Sequence, residues 1–248
     1  MKIVHKSKAK IKKSKEASAS ETREYAKQFQ EAKAAEIKSW IDNDVYDLVD
    51  LRKLSGREKR NYVTGRWVLN IKRDRQGNFL KCKARWVLRG FQDKQKWDQQ
   101  TDSPAASRPG FRMACQLASN HNWTLSHMDI KTAFLQGDRY DDTRNVITAL
   151  PKEAGHPPYI AARMKKPAYG LNDAPRRWFN IIDHSLRSYG CVPTRGDRCT
   201  YVLYSNSCRA SVDHRVSTET VSEVADNDML DRMLDPFRGN NSKGFAPC

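Results

Sequence analysis

Residues 66–73 and 79–88 are two strand-length runs separated by Asp74-Arg75-Gln76-Gly77-Asn78, and this pattern constrains the fold more than any other. It predicts a β-hairpin whose turn carries Gly and Asn where positive φ is needed. On the second strand the period-2 alternation puts Cys82, Ala84, Trp86 and Leu88 on one face and Lys81, Lys83 and Arg85 on the other. Three cations in register on one face describe a phosphate-binding surface rather than a core.

The charge of the whole chain agrees. The formal net charge is +16 over 248 residues, and it is concentrated in two places. Seven lysines fall in the first fifteen residues with no acid among them. Between Leu51 and Lys96, fifteen Lys or Arg stand against Glu58, Asp74 and Asp93. Concentrated positive charge favours a polyanionic partner, most simply nucleic acid; a merely solvated basic surface is the plainer alternative, more acceptable for the tail than for the middle block.

With 38% hydrophobic and 30% charged residues the chain reads as soluble, and no apolar run approaches the roughly 18 residues of a membrane span. The N-terminus lacks an apolar signal core, so the expectation is an intracellular protein, cytoplasmic or nuclear, and not a secreted one. Cys82, Cys115, Cys191, Cys199, Cys208 and Cys248 form no Cys-x-x-Cys pair, which argues for reduced thiols over zinc or a disulfide framework. The six histidines show no metal-ligand spacing, and there is no Walker-type glycine loop.

Residues 1–20 are Lys-, Ser- and Ala-rich and are expected to be disordered. A helix is predicted over 21–42, with a Ser18–Glu21 capping box and Tyr25, Phe29, Ala32 and Trp40 near one face. A short strand follows at 45–49. The spacing of Phe111, Ala114, Cys115 and Ala118 predicts a helix over 108–120. Residues 124–130 read as a strand. A helix over 173–189 is expected to start on an Asp173 cap with Pro175 early, to bury Trp178, Ile181, Ile182 and Leu186, and to stop at Gly190. Beyond Tyr204 the pattern decays into a polar, acidic tail over 206–248, either an insertion or the mark of a truncation, with a short helix around 221–234.

The chemistry concentrates in His127-Met128-Asp129-Ile130-Lys131-Thr132-Ala133-Phe134-Leu135-Gln136-Gly137. Taken alone, Asp129 reads equally as a metal-ligating carboxylate at a strand end or as a cap on the turn before Lys131. Phe134, five residues on, reads as a platform beneath a sugar or as a core aromatic.

Several motifs in order resemble copia-type retrotransposon reverse transcriptases. They are residues 31–49, Arg66-Trp67-Val68-Leu69, Lys72-Arg73-Asp74 with Gly77, residues 83–92, Thr101-Asp102-Ser103-Pro104-Ala105, the Asp129 stretch, Tyr169-Gly170-Leu171-Asn172-Asp173-Ala174-Pro175-Arg176-Arg177-Trp178, and Asp197-Arg198-Cys199-Thr200-Tyr201. The likeness spans about residues 30–205. It implies an α+β fold, with the polymerase fingers and a partial palm of a reverse-transcriptase right hand over 21–205, incomplete at the C-terminus. It implies an RNA-directed DNA polymerase that uses two Mg²⁺ ions, a template-primer and deoxynucleoside triphosphates. By position, Asp129 would be a catalytic metal ligand. Lys83 and Arg85 would hold the triphosphate, with Lys72 as a further candidate. Phe134 would exclude a 2′-hydroxyl, and Gly170 would admit the base pair at close range. Arg176, Arg177 and Lys81 would contact nucleic-acid phosphates, although for the two arginines an exposed helix face serves equally well.

Two departures matter. The family usually carries Lys-Gln or Arg-Gln where this chain has Asn172-Asp173, which trades a positive charge for a negative one. The second carboxylate motif, aromatic-x-Asp-Asp or Val-Asp-Asp, is not found after Tyr201; Asp226, Asp228, Asp231 and Asp235 lie in polar surroundings better suited to an acidic helix face. The expectation is therefore one arm of a divided site, inactive alone, or else a non-catalytic nucleic-acid-binding protein or transposon remnant. The oligomeric state is open.

Overall fold

A computed structural model describes residues 16–127 and 129–203. Its helices are α1 (Ala19–Glu24), α2 (Ala26–Asp42), α3 (Arg108–Asn120) and α4 (Ala174–Ser188). The strands are β1 (Tyr46–Asp50), β2 (Tyr62–Val63), β3 (Gly65–Arg73), β4 (Phe79–Leu88), β5 (Ile147–Thr148), β6 (Ile160–Met164), β7 (Val192–Pro193) and β8 (Tyr201–Val202). Strands β1, β6, β5 and β2 form one sheet in that order, antiparallel except for the β2–β5 pair. The β3–β4 ladder and the β7–β8 pair stand as separate antiparallel ribbons. The mixed α and β composition agrees with the α+β expectation.

The hairpin forms where the alternation places it. Ala84, Trp86 and Leu88 are buried, and Gly77 supplies the positive φ (94°) of the turn. A two-stranded ribbon is marginal by itself, and helix α2 packs against β4 to support it. Glu36 of α2 accepts hydrogen bonds from the Trp40 indole and from the Trp86 backbone N–H, both at 3.2 Å. The core runs from Trp40 and Val45 through Trp86 and Leu88 to Leu135, Met164, Leu171 and Ala174. One apolar nucleus thus joins the hairpin base, the four-stranded sheet and the start of α4.

The helix expected over 21–42 is two helices. The Ser18–Glu21 capping box is present, but the chain breaks at Tyr25 (φ −103°, ψ 31°), whose ring stacks on Phe79 at 4.8 Å. Helix α1 begins at Ala19, inside the stretch expected to be disordered. There Ala17 N–H donates to the Leu69 carbonyl, and Glu16 and Glu21 pair with Arg66 and Arg73 of β3. Glu16 and Glu21 thus fasten residues 16–21 to a basic strand. Residues 1–15, and the helix expected over 221–234, lie outside the described residues.

Three further expectations are corrected. The described residues of the stretch expected as a strand over 124–130, namely 124–127 and 129–130, are not in a strand. No described segment offers them a ladder partner, and an isolated strand leaves its backbone groups unpaired. Helix α3 has the predicted bounds, but of its apolar face only Ala118 is buried; Phe111 stays exposed, as do Met113 and Leu117. Its attachment is polar instead. Asp197 accepts the Ser107 N–H (2.7 Å) and the Cys199 N–H (2.8 Å), tying the α3 start to the β7–β8 ribbon. These backbone donors hold the Asp197 carboxyl below its usual range. Helix α4 ends at Gly190 (φ 86°) as expected, but it buries Phe179 while Trp178, Ile181, Ile182 and Leu186 are only half-buried. Asp173 occupies its N-cap position without making a side-chain cap.

Candidate nucleotide and nucleic-acid interface

The antiparallel register sets the charged face of the hairpin. Lys81 lies opposite Lys72, Lys83 opposite Asn70, and Arg85 opposite Val68. Directly opposed residues share a face, so Lys72, Lys81, Lys83 and Arg85 form one cationic field. Like charges at this spacing repel, and the effect is legible at Lys83. Partial burial, then the charges of Arg85, Lys72 and Lys81, push its ammonium below the usual lysine range, while Asp129 opposes them. Asp129 is thus near enough for its charge to act on Lys83, and it acts on Tyr169 as well. It is exposed and makes no salt bridge among the described residues.

Aromatic rings link the cations to the Asp129 loop. The Arg85 guanidinium lies 5.5 Å from the Tyr169 ring centre, and Phe134 meets the same ring edge-on at 5.7 Å. Phe134 is half-buried and packed against the core, as the core-aromatic reading expects. The turn between Asp129 and Phe134 is tight. Thr132 adopts a left-handed conformation (φ 52°, ψ 32°), uncommon for a β-branched residue and costing on the order of 1–3 kcal/mol. Fully buried Leu135 and the Gln136 side chain, which donates to the Lys131 carbonyl at 2.8 Å, hold the turn in place.

Gly170 (φ 93°) is required by protein packing. A Cβ there would lie 2.0 Å from the Leu88 carbonyl oxygen, and Leu88 N–H donates to the Tyr169 carbonyl at 2.7 Å. The 169–173 turn is thereby laid against the end of β4. Arg176 donates to the Asp102 carbonyl (3.1 Å), and Arg177 donates to Asp173, to the Arg139 carbonyl and to Gln99, each at 3.2 Å. Both guanidinium groups are engaged within the protein.

Sequence reasoning missed the buried ion cluster beneath this turn. Arg144, Asp93 and Asp173 are each about 1% exposed or only slightly more in their side chains. Arg144 donates to both Asp93 oxygens and reaches Asp173 at 3.5 Å, and Asn61 donates to Asp93 at 2.8 Å. Burial alone would raise the Asp93 carboxyl; the Arg144 and Asn61 donors outweigh it and hold it below its usual range. Asp173, the second residue of the departing Asn172-Asp173 pair, is here a partner of Arg144 and Arg177. Its departure from the pattern was the only signal, because residues 51 positions apart show no local periodicity.

The donor set for metal is short. Among the described residues no group of three His, Cys, Asp or Glu side chains converges, and Asp129 contributes one carboxylate. A lone exposed carboxylate does not fit a pair of Mg²⁺ ions, which require bridging oxygen ligands. Asp226, Asp228, Asp231 and Asp235 lie outside the described residues. No helix among the described residues is long and apolar enough to cross a membrane.

The family model described as reverse transcriptase (RNA-dependent DNA polymerase) matches residues 43–229. The chain is 29% identical over 177 residues to the retrovirus-related Pol polyprotein from transposon TNT 1-94 of Nicotiana tabacum, covering 70% of this chain and 13% of that polyprotein. It is 28% identical over 179 residues to the retrovirus-related Pol polyprotein from transposon RE1 of Arabidopsis thaliana, covering 71% of this chain and 12% of that one. With the transposon Ty1-LR2 Gag-Pol polyprotein of Saccharomyces cerevisiae the identity is 24% over 172 residues, covering 66% of this chain and 9% of the polyprotein. The chain therefore spans a small part of the curated relatives it matches. No solved structure matches it.

Proposed function

This chain belongs to the reverse transcriptase (RNA-dependent DNA polymerase) family and is a copia-type fragment of a transposon Pol polyprotein, and from that premise we propose that residues 21–205 are the fingers and first part of the palm of its polymerase. The observation that carries the reading is the crowded cationic face of β3–β4, with Lys83 under the electrostatic influence of Asp129. A cluster of like charges on a rigid ribbon is relieved when a polyanion enters, and Arg binds phosphate oxygens bidentately. Lys83 and Arg85 hold the triphosphate of an incoming deoxynucleotide, with Lys72 beside them and Lys81 toward the nucleic-acid backbone. Phe134 lies beneath the sugar. Gly170 keeps the 169–173 turn flush with the hairpin, so that the base pair meets a flat wall. Arg176 and Arg177 reach template phosphates only by giving up bonds they make within the protein.

Asp129 is an exposed carboxylate whose charge reaches Lys83 and Tyr169, whereas Glu36 acts on the same groups from a buried position. A site for two Mg²⁺ ions needs more. The 248-residue chain by itself is therefore expected to bind nucleic acid and triphosphate without polymerising. Primer extension with purified protein, template-primer and Mg²⁺ tests this. Background incorporation is expected; robust incorporation that Asp129→Ala abolishes would refute the divided-site reading.

The lone carboxylate also favours a second reading, a non-catalytic nucleic-acid binder. It expects log K to fall by about 0.7 per neutralised single-strand phosphate as log salt rises, and Lys83→Ala with Arg85→Ala to flatten that slope. Asp129→Ala should leave binding intact. Disappearance of a Mg²⁺-dependent triphosphate interaction in Asp129→Ala would decide against this reading and for the polymerase fragment.

A further inference from the structure

The cationic face of the hairpin has one more member. Alternation along β3 places Arg66 with Val68, Asn70 and Lys72, and the register sets it opposite Val87, one diagonal step from Arg85. Long side chains reach across such a diagonal. Arg66 differs from its neighbours in having an acid partner. Lys72, Lys81, Lys83 and Arg85 make no salt bridge among the described residues. The two terminal nitrogens of Arg66 instead donate to the Glu16 carboxylate, at 2.9 and 2.8 Å.

Glu16 reaches the face from a fastened strap. Ala17 N–H donates to the Leu69 carbonyl at 2.7 Å, Glu21 pairs with Arg73 at 3.1 Å, and the Tyr25 ring stacks on Phe79. Residues 16–21 therefore follow β3 in its own direction, with Glu16 at the Arg66 end. The Arg66 donors hold the Glu16 carboxyl below its usual range, so it is charged at neutral pH. The pair itself is open to water, with the Arg66 and Glu16 side chains 49% and 44% exposed. An exposed ion pair contributes little to stability, and the backbone bond and stacked rings hold the strap without it.

A carboxylate in this position stands where a phosphate would. Each can accept two parallel N–H bonds from one guanidinium. A phosphate chain that spans Arg66, Arg85 and Lys83 meets several cations together, so it outcompetes a carboxylate held by an exposed pair.

We propose that residues 16–21 are an acidic strap that regulates this face: Glu16 occupies Arg66 as an intramolecular competitor, and a phosphate-bearing ligand displaces it and recruits Arg66. The inference rests on the reading of β3–β4 as a phosphate surface and adds a control on its occupancy. Weakly charged anions leave Glu16 in place, and polyphosphates remove it. The chemistry recognised is the phosphate group, whether of a nucleoside triphosphate or of a nucleic-acid backbone.

Calorimetric titration of the whole chain with deoxythymidine triphosphate, and anisotropy with an end-labelled single-stranded oligonucleotide, test it. Both are read at about 0.1 M salt, where charges more than roughly 10 Å apart are screened. Glu16→Gln should tighten phosphate binding about two- to fivefold, the span of an exposed ion pair. Glu21→Gln is the control. It removes the same charge from the strap, keeps an acceptor for the Ser18 capping box, and releases Arg73, which lies beyond the register shift after Lys72; its affinity should stay at the parent's. Adding Glu16→Gln to Arg66→Gln should change nothing, because the competed residue is gone. A gain confined to the triphosphate assigns Arg66 to the nucleotide, and a gain for the oligonucleotide assigns it to the backbone. Parent-like affinity in Glu16→Gln, an equal gain in Glu21→Gln, or a gain that persists in Arg66→Gln would overturn the proposal. So would a lower thermal midpoint in Glu16→Gln with phosphate affinity unchanged, which would make the strap a brace only. Lys83→Ala with Arg85→Ala keeps the two ideas apart. Binding that is lost there but indifferent to Glu16→Gln sinks the strap alone, whereas a parent that binds neither ligand sinks the phosphate surface and the strap with it.

Discussion

Gly90 and Gly170 meet backbone to backbone: a Cβ on Gly90 would lie 2.1 Å from the Gly170 carbonyl oxygen, and a Cβ on Gly170 would lie 2.0 Å from that of Leu88. The contact presses the 169–173 turn against the outgoing end of β4, which places Tyr169 beneath Arg85. The cleft's wall is thus defined by two missing side chains.

Replacement of either glycine should therefore be costly. Gly170→Ala adds both a backbone clash and an L side chain at φ 93°, and Gly90→Ala adds a backbone clash alone. A destabilisation of more than about 3 kcal/mol, or failure to fold, is expected for Gly170→Ala. Gly77→Ala is the control. Its φ is 94°, but its Cβ would meet nothing within 4 Å, so only the conformational cost of roughly 1 kcal/mol remains. Urea unfolding midpoints compare the three; equal effects at Gly77 and Gly170 would remove the close approach from the account.

Arg144 is expected to be the most sensitive charged residue in the chain. Arg144→Met leaves the Asp93 and Asp173 carboxylates buried without their shared partner, a destabilisation of about 3–5 kcal/mol. Neutralising the whole cluster with Asp93→Asn, Arg144→Met and Asp173→Asn should recover much of it, because the penalty lies in unpaired charge. The pH dependence has a definite sign. Asp93 is held below its ordinary range in the fold, so its contribution is present above the unfolded carboxyl value near 3.9 and is lost as pH falls through the lower folded value. Acid unfolding curves of parent and Arg144→Met should converge at the acidic end. Curves that stay parallel to the lowest pH would rule out Asp93 as the source.

Glu36 is predicted to behave in the opposite way. Burial raises its carboxyl, against the hydrogen bonds from Trp40 and Trp86 and the charges of Arg85 and Lys83. A raised carboxyl stabilises the fold fully below the unfolded value near 4.3, and that contribution is lost as pH rises through the folded value. Glu36→Gln keeps an oxygen acceptor for both donors and carries no charge. Thermal unfolding should show the variant with the higher midpoint at neutral pH and no advantage near pH 4. A lower midpoint at neutral pH would mean that attraction to Lys83 and Arg85 outweighs desolvation.

Local patterns were readable from the sequence wherever the physics is local. The alternation over 79–88 fixed which β4 residues face in, Gly190 marked the end of α4, and Ser18 with Glu21 gave the first cap. Where a neighbour distant in sequence decides, the reading failed. Residues 124–130 have strand-like side chains but no described ladder partner. Phe111 has core spacing but stays exposed among the described residues, while Asp173 looks like a cap and is instead drawn inward by Arg144. The break at Tyr25 follows from Phe79, 54 positions on in the chain. Lys83, Arg85, Asp129 and Phe134 stood out because they sit in ordered motifs, and the fold brings them near one another through Tyr169; Arg144 carried no pattern of its own.

Lys83 joins stability to ligand binding. Partial burial and the neighbouring Arg85, Lys72 and Lys81 disfavour its charged form in the fold. The folded chain therefore releases this proton at lower pH than the unfolded chain does, and the charge works against stability until pH rises through the folded value toward the unfolded one near 10.4. Lys83→Met removes that opposition, so its unfolding midpoint should lie at or above the parent's at neutral pH, with the gap closing as pH approaches 10. Binding should move the other way. A deoxynucleoside triphosphate supplies the missing counter-charge, so it should raise the parent's thermal midpoint more than the variant's. Its affinity for Lys83→Met should be about tenfold weaker, the scale of one charge-assisted hydrogen bond. Calorimetric titration at low salt reads the affinity directly. A variant that is less stable yet binds triphosphate as well as the parent would show that Lys83 packs the hairpin and does not hold a phosphate.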